Sequence, residues 1–569
     1  VTEEPTADRR DVLRSLGGVP TGAALVDALG NDPSGRSLPT ESLSGEPEPV
    51  EPDPDADRVF PQGVASGDPM SDGVVLWTRI APDAYSSGGQ LTLQMTAASG
   101  FHAFGPLWSI ETDSLPDRDY TVKVDLAGHL EPDREYHYQF VYDDVYGPIG
   151  RCRTLPRAGS SPESVRFGVV TCQNYRKGYY GAFNHLAAED LDYLLHLGDF
   201  IYEWAGDSTH DGRSITLPSG HGLAWNLADF RHLYRTYRSD RFLQQALARY
   251  AMIATWDDHE IVNNRYWDYE AGRPKAGKGA HPRNDDAAFM RQLFADGIQA
   301  WWEYMPVRVQ YDPDAAHLHD RLRLWRSFRF GDLLDLVVTD ERLFRSQSDE
   351  DPRVDVSDAA LSAPGSVDLD HTMLGAAQRE WFADAVTDDA TTWTAWANEV
   401  LNMHLDTEYN GKKQFDNGDA WDGYETERRL IMRYLDRQDV DNFVALTGDL
   451  HTALAGYMRT DYDEAPDPDA RVGVELMTPA LTSMNLAEAG DISDNPFAQD
   501  LARSAILRNN PHLQFFDSFH HGYAVVEFTP DACEYTAYAV DKTVDSTSAS
   551  KHKLAAFSVP EGEVRLNRS

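Results

Sequence analysis

Cysteine is scarce: the 569-residue chain has three, Cys152, Cys172 and Cys533. Their number and scatter exclude a disulfide framework and a Cys-x-x-Cys zinc site, and leave open a single Cys152–Cys533 bridge. Lysine is scarce too, nine residues, and the 93 acidic side chains outweigh 51 basic ones to leave a formal charge of −42. Nonspecific nucleic-acid binding needs clustered Lys and Arg to displace phosphate counterions, so it is disfavoured. The acidic excess is spread along the chain, which points to a solvated carboxylate surface suited to high salt, hence a halophilic source, in preference to a basic partner. No apolar run reaches about 18 residues, so no membrane-spanning helix is expected. The hydrophobic fraction, 41%, is ordinary for a chain that folds.

The length exceeds what one core usually supports, and composition divides the chain. Near its start Asp8-Arg9-Arg10-Asp11-Val12-Leu13 precedes a mildly apolar stretch, residues 17–29, in the order of a twin-arginine export signal. Such a chain is exported folded, with its cofactor, by the twin-arginine machinery, and is expected outside the cell or at its surface as a monomer. Residues 31–57 are rich in Pro, Ser, Gly and acid and read as a mobile linker closing an N-terminal segment 1–57. Between 58 and 157, short β-branched and aromatic runs separated by turn residues predict a small antiparallel β-sandwich. It has no ligand-spaced His, Asp or Glu cluster and is assigned no chemistry. From 163 to 545 the pattern becomes α/β, with strands predicted at 165–170, 193–197, 251–256, 333–339, 394–400, 443–446 and 522–529, and helices at 180–188 and 227–250. Residues 546–569 are predicted to be a tail.

The groups that carry chemistry come directly after those strands. Cys172 follows 167–170. Asp199 and Tyr202 follow 193–197, in His196-Leu197-Gly198-Asp199-Phe200-Ile201-Tyr202. Asp257, Asp258, His259 and Glu260 follow 252–256, and Asp449 and His451 follow 444–448. Active sites of α/β sheets lie at strand C-termini, so four separate strands deliver a thiol, a phenol, imidazoles and carboxylates to one edge. Each has a plainer reading taken alone: Cys172 as a buried apolar thiol, Asp199 as a turn residue or helix cap, Asp257 and Asp258 as N-caps, His451 as a core histidine. Their convergence favours a metal-dependent phosphohydrolase.

In order along the chain, Phe60-Pro61-Gln62-Gly63-Val64-Ala65-Ser66-Gly67-Asp68-Pro69, Leu76-Trp77-Thr78-Arg79, Thr171-Cys172-Gln173, Gly198-Asp199-Phe200-Ile201-Tyr202-Glu203, Thr255-Trp256-Asp257-Asp258-His259-Glu260 with Asn263-Asn264, Thr339-Asp340-Glu341-Arg342, Trp421-Asp422-Gly423-Tyr424 and Thr447-Gly448-Asp449-Leu450-His451 resemble the motifs of the PhoD-type alkaline phosphatases and phosphodiesterases. The resemblance covers nearly all of the chain after the linker. It implies an αββα metallophosphatase sandwich preceded by the β-sandwich domain, with ferric iron and calcium as cofactors. By that resemblance Cys172, Asp199, Tyr202 and His451 hold the iron, and Asp199 bridges to a calcium also held by Asp258 and Asp449. A second calcium lies towards Asp419. Hard Fe³⁺ suits phenolate and carboxylate, and calcium suits an all-oxygen set. Thiolate on ferric iron is less common outside clusters and haem, which makes Cys172 the ligand to test first.

The cations neutralise phosphoryl oxygens and acidify a bound water or shared oxo ligand. His259, beside Asp258, would contact the phosphoryl group or protonate the departing alkoxide, or else only orient Asp258 or Glu260. Asn398 follows a strand and is a candidate to face the site; its neighbour Glu399 departs from the more usual Asn-Gln pair. Arg265 and Arg342 are candidates to contact substrate oxygens, with surface ion pairs as the alternative. The function expected is hydrolysis of small phosphate esters for phosphate scavenging, with loops 271–284 and 345–372 setting pocket width. Two rivals are a phospholipase D-type phosphodiesterase, whose apolar rim Trp301-Trp302 and Phe515-Phe516 would supply, and a non-catalytic surface protein with a structural metal site.

Overall fold

The computed structural model of the chain describes residues 52–97, 107–348, 357–369, 371–409, 412–413, 417–463 and 467–569. The expected export signal and the linker before residue 52 lie outside the described residues, as does part of loop 345–372.

The runs at 193–197, 251–255, 334–338 and 443–447 are buried at every residue. Strands with so little polar character need cover on both faces, and a second sheet on one side with helices on the other supplies it. The first sheet has ten strands in the order 567–568, 551–560, 532–540, 522–528, 165–170, 193–197, 251–255, 64–70, 73–79, 121–125. The second has seven, in the order 326–330, 334–338, 393–398, 443–447, 471–477, 453–459, 513–517. Both are parallel at their centres and antiparallel at their flanks. Aromatic side chains lock them together: Phe330 of the second sheet meets Phe167 and Tyr193 of the first edge-on, at ring separations of 5.4 and 5.2 Å. The helices Gly181–Ala187 and Arg241–Arg249 pack outside the first sheet, and Ala376–Val386 and Glu425–Arg437 outside the second. This is the αββα sandwich.

The N-terminal β region is joined to it. Strands 64–70, 73–79 and 121–125 continue the first sheet, Ser66 and Gly67 pairing in parallel with Ala251 and Met252. The strands 91–96, 107–110, 135–142 and 145–153 form a separate four-stranded antiparallel sheet packed against this extension. The β-sandwich thus shares one of its sheets with the α/β core.

Three local expectations need correction. The segment after 545 is not a tail, because Lys551–Pro560 pairs along its length with 532–540 and covers an otherwise open sheet edge. The helix expected over 227–250 is two, Leu227–Tyr237 and Arg241–Arg249. Asp240 breaks it by accepting bonds from the amides of Phe242 and Leu243, while Arg238 turns inward over the Trp77 ring. Cys152 and Cys533 are buried, free, and on strands of different sheets, so they do not bridge.

Candidate metal centre

The loops leaving three strand ends turn abruptly. Cys172, Asp199, Asp449 and His451 all take left-handed backbone angles, with φ of 55°, 58°, 66° and 56°. Each costs about 1–3 kcal/mol for a residue with a Cβ and persists only where its surroundings impose it. Close approach of the loops is one such constraint. A Cβ on Gly198 would stand 2.5 Å from Asp257 Cβ, and one on Gly448 would stand 2.6 Å from Thr171 Oγ1, so only glycine lets these strand ends meet. Glu260 is the other: its buried carboxylate accepts the amides of Asp199 (3.2 Å), Phe200 (2.6 Å) and Asp257 (2.7 Å), tying two ligand loops to one side chain.

One group of donors forms where these turns converge. The ligand atoms of Cys172, Asp199 and His451 lie within 4.8 Å of one another. Tyr202 joins them, donating to Asp199 Oδ2 at 2.6 Å and lying 3.3 Å from His451 Nε2. His451 Nδ1 donates to the Met484 carbonyl at 2.7 Å, which leaves the Nε2 lone pair facing the group. Burial lowers the His451 value to about 4, so the ring is neutral, as a metal ligand must be. Burial and then the Asp199 charge hold the Cys172 thiol and the Tyr202 phenol well above their usual values. Both keep their protons until a cation displaces them.

The second group consists of carboxylates. Ligand atoms of Asp257, Asp258 and Asp449 lie within 4.8 Å of one another, as do those of Asp199, Asp258 and His259, so Asp199 and Asp258 link the groups. Arg342, fully buried, pairs with Asp257 and reaches Asp419 at 2.8 Å and Asp449 at 3.1 Å. Arg345 holds Asp419 from the other side at 2.6 Å. The Asp419 and Asp449 side chains keep 21% and 23% of their surface exposed and form the open side. Burial raises Asp449 to about 6, and it raises Asp257 as well. Asp258 is buried too, yet His259 and Arg342 hold it well below the usual carboxylate range. Asp257 Oδ2 and Asp258 Oδ1 are buried without a hydrogen-bond partner. An anionic oxygen so placed is costly unless a cation meets it. Together with a mixed thiol, phenol, imidazole and carboxylate set beside an all-oxygen one, this fits two cations sharing Asp199.

His259 borders both groups. Its Nδ1 lies 2.7 Å from Glu203, and its ring is flanked by Tyr202 (4.2 Å) and Trp204 (4.7 Å). Burial opposes its charge, but Asp258, Glu203 and Asp199 outweigh burial and raise its value well above the usual one. The remaining candidates lie elsewhere. Asn398 is saturated inside the second sheet, donating to Val400 O and Thr447 Oγ1 and accepting from Trp421, so it does not face the site. Arg265 is fully buried over the Trp256 ring at 4.1 Å, with one nitrogen on the Asp257 carbonyl. Neither it nor Arg342 is a surface ion pair, since both are fully buried: carboxylates engage all three Arg342 nitrogens, whereas Nε and Nη1 of Arg265 are buried without a hydrogen-bond partner. Glu399 accepts from Thr255 Oγ1 and the Glu341 amide, tying a strand end of one sheet to the other. Glu203, Arg345 and Ser483, which donates to Tyr202 at 2.5 Å, were not singled out by sequence. Glu203 directly follows Tyr202 in its motif, and Ser483 follows the strand end at 477, so applying the strand-end rule there would have found it.

The family model for PhoD-like phosphatases matches residues 167–537, and that for the family's N-terminal domain matches 46–156. This chain belongs to the PhoD-like phosphatase family. It is 31% identical over 515 residues, 90% of this chain and 82% of the other, to alkaline phosphatase D of Bacillus subtilis (strain 168). A solved structure of PhoD superposes with a TM-score of 0.73 at 26% identity, covering 93% of each chain. As a PhoD-like phosphatase the chain is a phosphoric ester hydrolase, a family that implies metal cofactors, and the donor groups described above could hold them. No helix among the described residues is long and apolar enough to cross a membrane.

Proposed function

We propose that this phosphatase is exported and hydrolyses organic phosphate monoesters or diesters, for phosphate scavenging, at a mixed ferric iron and calcium centre. The observation that carries this reading is the meeting of Cys172, Tyr202 and His451 on one side of Asp199 with Asp258 and Asp449 on the other. Cys172, Asp199, Tyr202 and His451 would hold the iron; Asp199, Asp258 and Asp449 would hold a calcium, with Asp419 at its outer edge. The cations, once bound, neutralise phosphoryl oxygens and acidify the attacking water.

The chain's own residues do the rest. His259, kept protonated by Glu203 and Asp258, stands where it can give its proton to the departing alkoxide. Tyr202 and Trp204 close over its ring and limit the water around it. Export is supported by Arg9-Arg10 and the apolar residues after them, and a high-salt setting and a monomer by the charge of −42. The phospholipase alternative loses most of its rim: Trp301, Phe515 and Phe516 are buried in the core, and Trp302 is half-buried and stacked on Tyr311.

Metal analysis of purified protein with its visible absorption spectrum tests this reading. Stoichiometric iron with a charge-transfer band from phenolate or thiolate is expected. A colourless, iron-free and active enzyme would remove Cys172 and Tyr202 as iron ligands.

A further inference from the structure

The segment Thr482-Ser483-Met484 stands behind three of the four ligands assigned to iron, and no motif of the family reading includes it. The amides of Thr482 and Ser483 donate to the Cys172 carbonyl at 3.3 and 3.1 Å. The Met484 carbonyl accepts from His451 Nδ1. The Ser483 hydroxyl is buried and donates to the Tyr202 oxygen. The direction of that bond is set by two neighbours: the Asn174 amide donates to Ser483 Oγ at 3.3 Å, and Tyr202 sends its own proton to Asp199. A hydroxyl that accepts from an amide on one side has its proton free for the other. From beneath, His521 lies 2.8 Å from the Ser483 carbonyl, and Lys542 donates to the Thr482 carbonyl at 2.8 Å and pairs with Glu488. The segment is therefore held from both sides.

We infer that Ser483 is a positioning residue for the metal centre, its hydroxyl donating to the Tyr202 oxygen and setting how strongly that oxygen binds a cation. This inference rests on the proposed centre, with Tyr202 as a ligand. When a cation displaces the phenolic proton to solvent, the oxygen would keep the Ser483 bond and gain the metal. Loss of the donor leaves phenolate with more electron density and one fewer restraint on its position. The phenolate's filled orbital then rises, which moves a phenolate-to-iron band to longer wavelength.

The experiment compares the metal-loaded wild-type enzyme with Ser483→Ala and Ser483→Thr. Two readouts are taken: the position of the visible band, and the rate at which a strong chelator strips each metal found by elemental analysis. Expected are a band at longer wavelength and an altered stripping rate in Ser483→Ala, with both restored towards wild type in Ser483→Thr, which keeps the hydroxyl. An unmoved band and an unchanged rate in Ser483→Ala would overturn the inference, as would equal changes in the Thr variant. If the wild type is colourless, the iron assignment fails by itself, and the stripping rates alone then decide for or against Ser483.

Discussion

The two halves of the centre are built by opposite means. Around Cys172, Tyr202 and His451 the donors are uncharged before a cation binds, and neutral hydrogen bonds, His451 to the Met484 carbonyl and Ser483 to Tyr202, aim them. Around Asp257, Asp419 and Asp449 the donors are carboxylates, and Arg342 and Arg345 already bring positive charge among them. The first half is organised by geometry and must release protons to bind. The second is organised by charge, so a cation bound there would share its carboxylates with guanidinium. Asp199 belongs to both, clamped by Glu260.

Breaking the shared member should have the largest effect. Asp199→Asn removes the charge common to both cations and is expected to lower kcat about 10³-fold, since several kcal/mol of metal-borne stabilisation goes with it, while circular dichroism stays unchanged. Substantial retained turnover would count against the bridge. Next, Arg342→Met should destabilise the chelator-treated protein by about 3–5 kcal/mol, the cost of leaving buried charges unpaired, and much less in saturating calcium. Thermal unfolding with and without calcium reads this. A loss that calcium does not relieve would mean that the second half does not share its charge with a cation.

Glu260→Gln keeps the shape but weakens three charge-assisted bonds, and should loosen metal affinity roughly 10–100-fold in both halves together. Titration with each metal checks it; a change confined to one half would deny Glu260 its joint role. The smallest effect concerns Glu203→Gln. His259 owes its raised value in part to Glu203, so the variant should lose the protonated ring at lower pH, and the alkaline limb of kcat should move to lower pH. The sign for stability agrees. In the chelated wild type the His259 charge adds stability that is complete below the unfolded value of about 6.5, and the contribution fades as pH rises through the higher folded value. An unmoved alkaline limb would leave His259 with an orienting role only.

How legible the centre was follows from the same contrast. Cys172, Asp199, Tyr202, Asp258, Asp449 and His451 could be read because each closes a run buried on both faces, and the ends of such strands converge by topology. Arg342 could not be read correctly, and Arg345 was not singled out. A motif gives residue type, but whether a guanidinium turns outward to substrate or inward to carboxylates depends on partners 74 to 107 positions away. Asn398 also ends a strand, yet Trp421 and Val400 saturate it, so the strand-end rule locates a residue without saying which way it faces. In the fold, 551–560 escaped because its first three residues are Lys, His and Lys, whereas the β-branched and aromatic runs of the interior strands stood out. The sharing of one sheet between the β-sandwich and the core was beyond reach, since the pairing of Ser66 with Ala251 is long-range.

Anomalous X-ray scattering from crystals of the purified enzyme, recorded on both sides of the iron absorption edge, tests the central claim most directly. One iron peak within bonding distance of Cys172 Sγ, Tyr202 Oη, His451 Nε2 and an Asp199 oxygen is expected, with a lighter ion on the far side of Asp199 beside Asp258 and Asp449. An iron peak away from the thiol and phenol, or ions that do not share Asp199, would contradict it.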